Sequence, residues 1–327
     1  MNVIKNKFSS PYFVYSLLVS FLLLSSYIAL FYGGPVSLDG STVGNFIFWN
    51  IRLPKLIAAI LIGASLSLSG YIFQTVLRNP LADPYILGIS SGAALGVSVF
   101  LTIFTTLSTF GFELSAFLGA GVALILLILF YRMLMHNTVV MVLIGIGISF
   151  FFSSIITALM SYMEGDKIVY MNSWLIGNIA QPEYKELYML LAVFAVVSSV
   201  ILLMSNYLDV LQFGDDFARS SGVSSKFYSI LFIILGSMLA ASSVTVCGTM
   251  GFVGLVVPHV VRLIMKEKSS RMIPAVMLAG AGFLVFCSAL AGMLSFRFDV
   301  PVGAITAFIG APVLIYLIYK RYRGRAQ

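Results

Sequence analysis

Gly88-Ile89-Ser90-Ser91-Gly92 has the spacing of a nucleophile elbow, the turn that exposes a serine for acyl transfer. That chemistry needs a strand ahead of the serine and a helix behind it. Here a proline-containing turn precedes the motif and an apolar helical run follows, so packing explains it better than hydrolysis. Other catalytic options are equally thin. The only histidines are His136 and His259, and no His-Glu-x-x-His occurs, so no metal site is expected. No Gly-x-x-x-x-Gly-Lys-Ser/Thr loop is present to cradle nucleotide phosphates. Cys247 and Cys287 lie in apolar surroundings and read as buried free thiols. Every carboxylate falls in a loop or at the end of an apolar run. Ion-coupled carriers usually keep ionisable groups inside the membrane, so a secondary transporter is the weaker reading, kept open by Asp83 and Asp299.

The elements that hold these residues are membrane helices. Of the 327 residues, 60% are hydrophobic and 9% charged, with mean hydropathy +1.04. Soluble domains average about 25% charged residues. At roughly 20 apolar residues per span there is room for about ten, and runs this long and continuous are helices rather than barrel strands. The expected fold is an all-α polytopic membrane protein, one domain over 1–327. Its spans fall near 11–32, 53–77, 88–107, 114–135, 139–162, 187–205, 227–246, 252–266, 272–294 and 302–320. The first is too long for a signal-peptide core and reads as uncleaved. With the N-terminus inside, 14 of the 19 lysines and arginines lie on the inner side. That asymmetry places both termini in the cytoplasm. Trp49 and Trp174 fall at outer boundaries, as membrane-interface aromatics do. The net charge of +7 is therefore a topology signal, and no basic groove with interleaved aromatics suggests nucleic acid.

Four stretches interrupt the apolar pattern. Arg78, Asn79, Pro80, Asp83 and Pro84 form a polar knot after span two, where two prolines prevent a regular helix. Without an obvious pairing group it reads as a rigid cytoplasmic turn. Residues 168–181 are apolar but too short to span, and suggest a partly embedded outer helix. In 248–266, Gly248, Gly251, Gly254 and Pro258 mark a short, broken eighth span, which is tolerated when enclosed by protein or lining a cavity. Residues 206–226 form an amphipathic inner loop. Its Leu208, Leu211, Phe213, Phe217 and Val223 would be exposed without a partner surface, and Gly214 and Gly222 would end short helices. Small-residue faces at Gly88-Gly92-Gly96 and Gly303-Ala307-Ala311 allow close helix contact, within the chain or across a homodimer seam.

Five segments in order resemble the FecCD family, the membrane permeases of ABC importers for ferric siderophores, haem and vitamin B12. They are RLPK at 52–55, GASLSLSGYIFQTVLRNPLADPYILGISSGA at 63–93, FGDDFARSSGV at 213–223, GFVGLVVPHVVR at 251–262 and PVGAITAFIGAP at 301–312. The resemblance runs from about residue 50 to the C-terminus. It implies a ten-helix subunit acting as a homodimer in the cytoplasmic membrane. Two cytoplasmic ATPase subunits would carry ATP and Mg, with no cofactor in this chain, and a periplasmic or lipid-anchored binding protein would deliver substrate. It makes 206–226 the loop that couples to the ATPase, with Asp209, Leu211, Gly214, Asp215, Ala218, Arg219 and Gly222 at its core. Asn137 and Thr138 align with a cytoplasmic gate. Arg52 and Arg297 resemble the arginines that pair with acids on the binding protein, where a planar guanidinium suits a carboxylate; plain interface anchoring is the other reading. Gly251, Gly254, Pro258 and His259 match the helix break, His259 in a structural role. The chain departs from the family at Asp299-Val300, where a Glu is more usual. Alternating access is the implied mechanism, along a path lined by span five, 168–181, the short span eight and span ten, with hydroxyls such as Ser149, Ser153 and Thr157.

Overall fold

The computed structural model describes residues 11–32, 42–104, 109–133, 138–179, 181–294 and 300–323. Among them there are helices and turns and no strands. In chain order the helices are α1 (Pro11–Phe31), α2 (Thr42–Val76), α3 (Ile89–Ile103), α4 (Thr109–Met133), α5 (Thr138–Met160), α6 (Gly165–Ile176), α7 (Tyr184–Leu203), α8 (Ser205–Leu211), α9 (Asp215–Ser220), α10 (Ser225–Cys247), α11 (Val253–Ile264), α12 (Ser269–Leu294) and α13 (Val302–Arg323). Each expected apolar span has a helix in its place. Seven are long and apolar enough to cross a membrane; Ile89–Ile103, Val253–Ile264 and Val302–Tyr316 are apolar but shorter.

One boundary differs by more than a turn. Helix α2 starts at Thr42, not near 53, and passes through a π-helical turn over Phe48–Arg52. Asn50 and Arg52 make this stretch look like loop in the sequence. The Asn50 side chain donates to the Phe46 carbonyl, and Arg52 is 7% exposed, so both are absorbed by local backbone.

Burial separates centre from rim. In the most apolar window of α2, 89% of residues are buried, against 11% in α1. Helix α2 is therefore the hub, while α1 lies along α12 and turns Leu17, Leu23 and Leu24 outward, as a lipid-facing helix should.

Small residues let the hub approach its neighbours. A side chain at Gly63 would overlap the Gly280 carbonyl of α12, and one at Gly70 would overlap the Gly254 carbonyl of α11. Ser69 adds a direct bond to α10, donating to the Gly236 carbonyl at 2.7 Å. The Gly92 and Gly96 face packs on Gly119 and Ser115 of α4. That face is thus spent within the chain rather than in a seam between copies. In lipid, where burying apolar surface gives little drive between helices, such contacts and interhelical hydrogen bonds hold a bundle.

Gly280→Ala should accordingly lower unfolding stability by about 1–3 kcal/mol, because its new methyl meets Ser67 and the Gly63 carbonyl. Gly121→Ala, with nothing within 4 Å of the new atom, should be neutral or stabilising by roughly 0.5–1 kcal/mol. Thermal unfolding of both variants in nanodiscs checks the contrast.

Candidate functional site: a loop, a knot and a broken helix

The loop 206–226 folds as α8 and α9, joined at Gly214 and ended at Gly222, both at positive φ (109° and 73°). Glycine is needed there because a side chain is strained in that region. Leu208, Leu211 and Ala218 point into the chain's own core. This corrects the expectation that all five apolar residues of the loop are exposed: two short amphipathic helices can bury their leucines on the bundle beneath. Phe213 (68% exposed) and Phe217 (48%) remain outside, their rings 5.2 Å apart. Asp209 accepts the backbone N–H of Ser269 at 2.8 Å, which fixes the loop to the start of α12. Arg219 is exposed.

Asp215 pairs with Arg78 at 3.4 Å. The cation of the knot after α2 is therefore met by a residue far along the chain. Arg78 takes a left-handed backbone (φ 47°), and Asn79 accepts the Leu81 N–H at 3.0 Å, a side-chain-closed turn. Pro80 and Pro84 keep the segment out of helix. Asp83 is 2% exposed and accepts the Tyr85 backbone N–H. Its Oδ1 occupies the space that a side chain at Gly254 would need. Gly254 lies in the first turn of α11, so the carboxyl abuts a helix N-terminus, where negative charge is favoured. Burial nevertheless dominates and pushes the Asp83 carboxyl up to about 7.

Helix α11 has 12 residues, about 18 Å, and contains Pro258. It is entered through Gly248 (φ 71°) and Phe252 (φ 70°). A left-handed Phe is unusual. Its side chain fills the gap left by Gly310 of α13, which could not carry a Cβ. Gly251 makes only ordinary contact with Tyr85. The strand-like entry segment ties three elements together. Thr249 N–H donates to the Trp174 carbonyl at 3.2 Å and its hydroxyl to the Leu175 carbonyl, while Gly303 N–H donates to the Gly177 carbonyl at 2.9 Å. The end of α6, the entry to α11 and the start of α13 thus meet.

Two cavities bear on the site, one beside this assembly and one beside the 206–226 loop. One, about 480 Å³, is lined by Ser91, Ser149, Ser153, Thr249, Tyr85, Phe150, Leu175 and neighbours. Span five contributes Ser149 and Ser153, α6 contributes Leu175 and the approach to α11 contributes Thr249; among the described residues, span ten and Thr157 do not line it. The other, about 470 Å³, lies among Gln74, Arg78, Gln212, Phe213, His259 and Arg262.

The remaining expected residues are placed as follows. Arg52 donates from Nη1 to the Leu30 carbonyl at 2.5 Å and is largely buried. That is the geometry of an anchor between α1 and α2, with little surface offered to an outside partner. Arg297 and Asn137 lie outside the described residues; Thr138 opens α5. Ser90 is 2% exposed in the first turn of α3 and has a turn, not a strand, ahead of it. The nucleophile-elbow context is therefore missing.

A glycine-welded helical bundle with an apolar rim, one polar loop and a short, continuous helix beside a cavity is the architecture of a membrane translocation subunit. The chain belongs to the FecCD transport family, whose model matches residues 12–320 and so reaches further toward the N-terminus than the sequence motifs do. It is 31% identical over 291 residues to the molybdate import system permease protein MolB of Haemophilus influenzae, covering 88% of this chain and 85% of that one. It is 30% identical over 329 residues to the Fe(3+) dicitrate transport system permease protein FecC of Escherichia coli, covering 95% and 98%. Among solved structures, a metal-chelate type ABC transporter in an inward-facing conformation superposes with TM-score 0.85 at 30% identity, covering 95% of this chain and 100% of that one. The protein is therefore an ABC importer permease, a multi-pass protein of the cytoplasmic membrane and not an enzyme; ATP hydrolysis lies with a separate ATPase.

Asp83 gives a pH test of the site. Folded, it holds its proton to about pH 7; its ordinary value is 3.8. Between those values the folded chain binds more protons than the unfolded one, so this group's stability contribution falls as pH rises through the window. Asp83→Asn should flatten the fall and gain on the wild type above pH 7. Unfolding midpoints from pH 5 to 8 with equal slopes for both proteins would rule out this protonation.

Proposed function

We propose that the chain forms a homodimer that passes a metal chelate of the ferric siderophore, haem or cobalamin class across the membrane by alternating access. In this reading ten spans leave both termini in the cytoplasm. Two ATPase subunits, which hold the ATP and Mg, dock on 206–226, and a binding protein docks on the opposite face. The observation that carries it is the contact chain from the loop through Arg78–Asp215 to the knot, and from Asp83 to the first turn of α11. A push on α9 therefore has a physical path to the short helix.

Other features support the same assignment. The exposed Phe213–Phe217 pair is a natural anchor for a groove on the ATPase. Phe150 and Phe151 on α5 and Phe308 on α13 are 69%, 62% and 82% exposed, apolar surface that a second copy would cover. The 480 Å³ cavity mixes hydroxyls with apolar side chains and has no charged lining residue among the described residues. Such a wall grips a chelate weakly and leaves selectivity to the binding protein. Asn137 and Thr138 keep the gate role and Arg297 the docking role in this proposal; Arg52 would hold the outer end of α2 beneath the docking surface. The molybdate relative makes an oxyanion cargo the second reading.

Reconstitution of the chain with its ATPase and binding protein, followed by a ligand screen on the binding protein, tests the function. ATP-dependent uptake of a metal chelate is expected; uptake driven by an ion gradient without ATP would point to a secondary carrier. Gly222→Val strains a left-handed position with no steric conflict around it, at about 1–2 kcal/mol. It should insert normally yet lose substrate-stimulated ATP hydrolysis. Full stimulation in that variant would remove 206–226 from the coupling role.

A further inference from the structure

The 470 Å³ cavity beside the loop has an unusual charge. Arg78, His259 and Arg262 line it, and no carboxylate does among the described residues. Arg78 already has Asp215. Arg262 has no ion-pair partner among the described residues. It lies over the Tyr71 ring, 4.7 Å from the centroid, and its Nη2 bonds to the Thr75 hydroxyl and, at 3.3 Å, to the Tyr71 carbonyl. Those neutral acceptors come from the last turns of α2. The guanidinium Nε is shut off from solvent without any acceptor. Drawing a cation out of water without a counter-charge is expensive, and the cost is recovered when a carboxylate arrives with good geometry.

A second orphan lines the same cavity. Gln74 is 2% exposed. Its Nε2 is committed to the Gly254 and Leu255 carbonyls at 3.2 and 3.0 Å, which fixes the amide and leaves Oε1 without a donor. Nη2 makes both of Arg262's hydrogen bonds among the described residues, which leaves Nη1 to meet an acceptor entering the cavity, while the enclosed Nε and Gln74 Oε1 stay unpaired behind it. A simple anion brings acceptors only. An acidic residue within a polypeptide brings a carboxylate together with backbone N–H groups. Gln212 and Phe213 of the 206–226 loop form one wall, so the cavity opens onto the surface assigned to the ATPase.

We propose that this cavity is a second docking point for the cytoplasmic ATPase, receiving an acidic side chain that pairs with Arg262 beside the coupling loop. The inference rests on the assignment of 206–226 to ATPase docking. Guanidinium suits the role because its planar fork meets a carboxylate with two parallel bonds. A contact here would grip the ATPase against Gln74 and α11 directly, so the short helix would feel the partner from two sides: through Asp83 and through Arg262.

The test measures binding of the cognate ATPase to the full-length chain in nanodiscs across a salt series. Arg262→Gln should weaken binding by roughly thirtyfold or more, as expected for removing one partner of an enclosed charge pair, and flatten the salt dependence. Arg262 also bonds α2, so Gln212→Glu supplies an independent variant: Gln212 is exposed on the loop wall, and a carboxylate there should occupy the cavity and weaken binding by more than Gln212→Ala does. Unchanged affinity and salt slope in Arg262→Gln and Gln212→Glu, with wild type binding normally, would overturn the second docking point and leave the permease assignment standing. No binding by the wild type would instead undo the assignment beneath it. Inorganic phosphate that raises the melting temperature of the isolated wild type but not of Arg262→Gln, with ATPase binding equal in both, would identify a free-anion site and overturn the proposal.

Discussion

The contact between Gly70 and Gly254 is what the rest of the structure leans on. Helix α2 and the first turn of α11 approach there until neither position tolerates a side chain. A helix of 12 residues could not stand alone across a hydrocarbon core roughly 30 Å thick; it persists because protein encloses its ends. The hub supplies that enclosure. Gly70 holds α11 from one side, and Asp83, at the end of the turn that follows α2, closes on the same residue. Gly63 against Gly280 and Ser69 on Gly236 then fix α12 and α10 to the same hub. The short helix is thus positioned almost wholly by backbone packing on α2.

Not every joint in this assembly is equally firm. The Arg78 and Asp215 side chains are 36% and 31% exposed, and an ion pair that wet is worth about 1 kcal/mol or less. Glycine-on-backbone contact is either made or lost, since a packed bundle rearranges between discrete arrangements rather than bending smoothly. The difference divides the molecule. The joint between the loop and the knot is weak, whereas the knot, α2 and the start of α11 are held together by backbone contact. On the opposite side, hydrogen bonds from Thr249 and Gly303 join α6, α11 and α13, two of which, α6 and the approach to α11, reach the cavity wall.

Helices were legible in the sequence wherever lipid dictates composition, because a run of apolar residues has one acceptable backbone there. Legibility failed where backbone accommodates a polar residue privately. Arg52 reads as an outside charge, yet its guanidinium turns back to the Leu30 carbonyl, and α2 continues eleven residues further than its apolar run. The Gly88-Gly92-Gly96 face announced close packing, but not against which helix; that depends on small residues at Ser115 and Gly119. Phe252 carried no signal for a left-handed turn, since the reason lies at Gly310. The same holds for Arg78, whose partner Asp215 opens α9. Pairings that join distant segments leave no local pattern.

The distribution of charge completes the physical picture. Charged side chains cluster at the loop face and at helix ends, while the cavity between α3, α5 and α6 offers serine and threonine hydroxyls on an apolar wall. Even these hydroxyls are partly spent: Ser91 donates to the Gly88 carbonyl at 3.0 Å and faces Ser149 at 3.4 Å. A wall with so few free donors and no fixed charge cannot build a deep well for any polar solute, because tight binding needs several convergent polar groups. Shallow wells suit passage. The guanidinium groups of Arg78 and Arg262 are placed away from that cavity, beside the 206–226 loop.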